Sequence, residues 1–180
     1  MSLKTVKLIS GVIGFVTALL FVMRATLRWQ YPISENLSLI GLGILASVMG
    51  SIFNVNWYEE LKGGNDAGAM RNSSYIFGSV GGGVLFGIYF AMKNHVSIQH
   101  AIRLIGQGIL GGLGAAITTW IVLLICFIPL LLVNLVLKIN IVEKYFVRNE
   151  TAEQIFGAIM TSVSIMILWS SLAKGELFQL

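Results

Sequence analysis
LIGQGILGGLGAAITTWIVLLICFIPLLLVNLVL, residues 104–137, runs for 34 positions without a charged side chain, between Arg103 and Lys138. A bilayer core takes about 20 apolar helical residues to cross. At about 1.5 Å per residue this run forms a helix of roughly 51 Å. A core of about 30 Å would need a tilt beyond the usual limit of about 40°. Part of the run is therefore expected to be covered by protein or to stand outside the bilayer. Pro129 cannot donate to the carbonyl of Ile125 and predicts a kink there. No Asn-Gly, Asp-Gly or Pro-Gly pair marks a hairpin tip, so one long kinked helix is preferred to two short spans.

Working outward, four further charge-free stretches appear. The first of them, Leu8–Met23, is extended past Arg24, and the predicted spans lie at about 8–30, 36–58, 74–92 and 154–173, beside 104–137. The first contains Arg24 and Arg28, followed by Trp29 and Tyr31, and is expected to end before Pro32. Arginine snorkels and aromatic rings sit at headgroup level, so it reads as a retained anchor rather than a cleaved signal. The fold expected is an all-α, polytopic transmembrane bundle of about five spans in a single domain. A polar loop is expected at 59–73, where Gly63, Gly64, Asn65, Asp66 and Gly68 favour turns. A surface helix is expected at Lys93–Arg103, and an amphipathic extension of the fourth helix at 138–149. Thr151-x-x-Gln154 fits a capping box opening the fifth helix.

Composition agrees. The 180 residues are 56% hydrophobic and 11% charged, less than half the charge of an ordinary soluble domain. That excludes a soluble enzyme and a disordered tail. A net charge of +4 is no polyanion-binding patch, so nucleic acid is not a partner. A lone Cys126 excludes a disulfide framework and a multi-cysteine metal site. Lys and Arg number seven on the side of the N-terminus against five on the other, which favours a cytoplasmic N-terminus.

Small residues supply the strongest mechanistic signal. Gly78-x3-Gly82 and Gly83-x3-Gly87 lie in the third span, and Gly108-x3-Gly112-x3-Ala116 in the fourth. Gly43-x3-Ser47-x3-Ser51 and Ala46-x3-Gly50 lie in the second. Four-residue spacing puts small side chains on one face and lets backbones approach closely. LIGLGIL at 39–45 and LIGQGIL at 104–110 match at six of seven positions, 65 residues apart, and suggest a duplicated two-helix unit.

No Asp, Glu, Lys, Arg or His lies well inside a span, which argues against proton relays and coupled antiport. No catalytic residue, cofactor or metal is implied. Asn54, Asn56, Gln107, Thr118 and Asn134 remain as uncharged groups for a polar pathway. The expected function is a non-catalytic subunit that packs by glycine faces with other membrane subunits or copies of itself, in a transport or secretion complex. The alternative is a small homo-oligomeric channel or carrier.

Overall fold
The computed structural model describes residues 1–61, 74–137 and 150–175. Five helices cover most of them: α1 (Leu3–Trp29), α2 (Leu37–Leu61), α3 (Ser74–Lys93), α4 (Ile98–Leu137) and α5 (Glu150–Ala173). Each is long and apolar enough to cross a membrane. They form a helical bundle, and the described residues contain no strand. Pro129 lies inside the continuous α4. Of the loop expected at 59–73, residues 59–61 instead continue α2, while 62–73 and the extension at 138–149 lie outside the described residues.

Three boundaries differ from expectation, each for a local reason. Ser2 accepts the Thr5 amide at 3.3 Å, so α1 starts before Lys4 and Lys7. Charges bound an apolar span without ending a helix. Lys93–Arg103 is not a separate surface helix. His95 turns the chain in the left-handed region (φ 49°), and the Ala101 amide then bonds Ser97 O at 2.9 Å. α4 therefore starts at Ile98, and its polar first turns lengthen it to 40 residues. Gln154 does not close a capping box: α5 starts at Glu150, and the Gln154 amide donates to Glu59 instead. Glu150 and Glu153 place acid in the first turn of α5, where the helix dipole favours it.

α1 and α2 form one antiparallel hairpin and α3 and α4 a second. The two share a register at an offset of 65 residues. In the first, a Cβ added to Gly14 would lie 2.6 Å from Ser47 O; in the second, one added to Gly112 would lie 2.6 Å from Ser79 O. Gly14 and Ser79 are equivalent at that offset, as are Ser47 and Gly112. The same crossing is thus made twice, with glycine and serine exchanged between the helices. Ser10, Gly14 and Ala18 are buried in α1, as are their equivalents Tyr75, Ser79 and Gly83 in α3. Leu39, Gly43, Ser47 and Asn54 match Leu104, Gly108, Gly112 and Thr119, all buried. The two non-glycine residues with positive φ, Gln30 (52°) and His95 (49°), are also 65 apart and end the first helix of each hairpin.

α5 packs against all four helices and is the most buried span, whereas α4 is the least. One end of the bundle gathers the α1 N-terminus, the α2 C-terminus and the starts of α3 and α5. The other gathers the α1 C-terminus, the start of α4 and the α5 C-terminus.

Candidate functional site
The glycine faces are filled from within the chain. Gly83 and Gly108 face each other so closely that a Cβ on either would overlap the other's carbonyl oxygen. The hydrogen in place of each Cβ points at that oxygen, the arrangement of a Cα–H···O contact. One added to Gly87 would stand 2.7 Å from Leu104 O. Gly78 and Gly82 receive Thr161 and Ile165 of α5, and Gly50 receives both. Ala116 is buried with Tyr75 and Met160. Gly41, Gly81, Gly106 and Gly114 face open space.

Gly43 accommodates an indole. A Cβ there would lie 2.6 Å from Trp169 Cδ1. Trp169 Nε1 donates to Leu39 O at 3.0 Å, and the ring meets Tyr31 edge-on at 5.6 Å. Burial pushes the Tyr31 phenol above its ordinary pKa, and the Tyr89 phenol nearby adds to the rise.

Below this level a polar seam descends between α2 and its neighbours. Ser47 donates to Gly14 O at 2.8 Å. Ser51 donates to Ser47 O at 2.8 Å and to Ala158 O at 3.2 Å. Ser74 donates to Asn54 Oδ1 at 2.7 Å, while Asn54 Nδ2, fully buried beside Gly157, has no hydrogen-bond partner among the described residues. At the foot, Tyr58 donates to Glu153 and Gln154 to Glu59, a reciprocal clasp between the end of α2 and the start of α5. On the α4 side, Ser164 donates to Thr119 at 2.9 Å.

The five residues suggested for a polar pathway are not brought together. Asn54 sits in the seam, but Asn56 is exposed. Thr118 is exposed and donates to Gly114 O of its own helix at 2.8 Å. Gln107 is half-buried one residue from Gly108, which packs at Gly83, and its Oε1 has no partner among the described residues. Ser74 and Gly83 are nine residues apart, about 13 Å along α3, and separate Gln107 from Asn54. The Asn134 side chain lies outside the described residues.

Sequence reasoning missed Ser10-x3-Gly14-x3-Ala18 in α1, although its spacing was legible. It missed the clasp, whose signal is Tyr58 four residues after Asn54. It chose Thr118 for the polar pathway rather than Thr119, one residue and about 100° around the helix. Chemically, the hydroxyls of the seam are held by helix carbonyls, by one another, by the Asn54 amide oxygen and by the Glu153 carboxylate. Among the described residues, no three His, Cys, Asp or Glu side chains come together to hold a metal ion.

Five apolar helices and a core built on small residues define a multi-pass integral membrane bundle. Comparison with known protein families, curated proteins and solved structures finds no match to this chain.

Proposed function
We propose that the chain is a non-catalytic integral membrane subunit that associates laterally with other membrane helices, within a transport or secretion complex. The supporting observation is the reach of α4. Its 40 residues make a helix of about 60 Å, twice the core of a bilayer. The Gly112–Ser79 crossing sets Ile117 about level with Ser74, the first residue of α3. Beyond it, α4 continues for some twenty residues, about 30 Å, past the start of α3, with α5 beside it. Ile121, Leu124, Ile125 and Ile128 are exposed there. Gly78, Gly82, Gly83, Gly87, Gly108 and Gly112 are occupied internally, so this outer face of α4 is the surface assigned to partners. The N-terminus is placed in the cytoplasm on the Lys and Arg asymmetry.

Cys126 is exposed on the same stretch and serves as the probe. In native membranes a thiol cross-linker at Cys126 is expected to capture a second membrane protein of defined mass. Ile121→Trp and Ile125→Trp are expected to weaken that capture while leaving helicity unchanged. A chain that stays monomeric in membranes and in mild detergent refutes the proposal.

A further inference from the structure
Arg24 and Arg28 lie one turn apart on the exposed face of α1. Arg24 is five residues, about 7.5 Å, short of the helix end at Trp29. Its surroundings are apolar and open: Leu20 is 60%, Met23 57% and Leu27 81% exposed. Neither guanidinium has a carboxylate partner among the described residues. An ionised group this close to the helix end snorkels toward the headgroups, where an anion can neutralise it, because its desolvation is costly. On the adjoining α5 end, Lys174 Nζ stands 4.6 Å over the Trp29 ring. At this end of the bundle, Arg24, Arg28, Lys93, Arg103 and Lys174 face Glu35 as the one described acid.

We propose that the end of α1 binds the headgroup of an anionic phospholipid. Arg24 and Arg28 hold the phosphodiester, and the Trp29 indole lies at the glycerol level. The planar guanidinium matches two phosphate oxygens at once, which an ammonium does not. A tryptophan at that depth is in its preferred interfacial position. The Leu20–Met23–Leu27 surface decides between a lipid and a soluble phosphate. A lipid brings acyl chains that cover that surface while its phosphate meets Arg24. A water-borne anion would have to leave water to reach the same place. Two exposed guanidiniums without a carboxylate partner among the described residues favour a headgroup of net negative charge over a zwitterionic one.

The test uses the full chain carrying Trp57→Phe and Trp120→Phe, which leaves Trp29 and the fully buried Trp169. It is reconstituted in phosphatidylcholine vesicles doped with lipid brominated near the headgroup end of its chains. At low salt, brominated phosphatidylglycerol is expected to quench Trp29 at lower mole fraction than brominated phosphatidylcholine. Each basic residue near a membrane surface is worth about 1 kcal/mol, so Arg24→Gln is expected to cut the preference about five-fold. Arg24→Lys with Arg28→Lys is expected to lower the preference less than the glutamine variants do, since the charge stays but the bidentate match is lost, and added salt is expected to weaken it. Equal quenching by both lipids overturns the proposal. So does a preference that survives Arg24→Gln with Arg28→Gln, or one that soluble glycerol phosphate abolishes. Should the glutamine variants lose helicity, the salt titration of the parent chain decides, and a salt-insensitive preference refutes the site.

Discussion

Gly112 and Gly114 sit two residues apart on α4 and predict opposite responses to one methyl group. At Gly112 the added Cβ would stand 2.6 Å from Ser79 O and 2.9 Å from Val80 Cα, both backbone atoms. Real Cβ atoms essentially never approach within 3.0 Å, and ordinary contact begins at 3.4 Å. Neither backbone atom can rotate away, so α3 and α4 must part by several tenths of an ångström along their whole crossing. A gap of about 0.5–1 Å forfeits a quarter to a half of each dispersion contact. Overpacking of this kind costs about 1–3 kcal/mol, and the rigid backbone here puts Gly112→Ala at the upper end. Replacing a helical glycine by alanine returns about 1 kcal/mol of propensity. Gly112→Ala is therefore expected to destabilise by about 2 kcal/mol. At Gly114 the Cβ meets nothing within 4 Å, so only the propensity gain remains and Gly114→Ala is expected to stabilise by up to about 1 kcal/mol. Reversible unfolding in mixed detergent micelles, followed by helicity, measures both. Equal stability of the two variants, or a more stable Gly112→Ala, refutes the close α3–α4 crossing.

The hairpin equivalence predicts a rescue. Gly112→Ser alone is expected to destabilise, whereas adding Ser79→Gly reproduces the Gly14–Ser47 arrangement and recovers about 0.5–3 kcal/mol of coupling in a double-mutant cycle. Additive losses would count against it. Tyr58→Phe removes the hydroxyl that donates to Glu153 and is expected to cost about 1.5 kcal/mol, the low end for a bond to a charged group that is only partly buried. Glu153→Gln keeps an acceptor and is expected to cost less, by the same unfolding assay. Tyr31 gives a pH signature. Its folded pKa is raised above that of the unfolded chain, so its contribution is whole below about pH 10 and is lost as pH rises through the folded value. Tyr31→Phe also deletes a buried hydroxyl without a hydrogen-bond partner. It is expected to leave neutral stability unchanged or slightly higher and to flatten the alkaline decline; an undiminished decline places its cause elsewhere.

The number of spans and their order were legible because lipid tolerates few charges, and Arg24, Glu59, Lys93 and Lys174 stand near the ends of their spans. Boundaries were less so. Charge marks where the bilayer ends, while hydrogen bonds at Ser2 and Ser97 mark where α1 and α4 begin. Spacing identified the small-residue faces, yet it says nothing about which neighbour fills each one. Gly78 and Gly83 differ by five residues and meet different helices, α5 and α4. The polar seam was the least legible part. Thr118 and Thr119 are identical in type, and only the rotation of α4 against α5 makes one exposed and the other an acceptor for Ser164. Gln154 could bond locally or across the bundle, and sequence alone does not rank the two.

The doubled crossing has a practical consequence for anyone dissecting this chain. Each hairpin contains a matched control for the other: a perturbation at Gly14 has its counterpart at Ser79, in the same membrane, the same detergent and the same molecule. Any difference in response measures surroundings rather than the crossing, and α5, which has no counterpart, is the natural source of that difference.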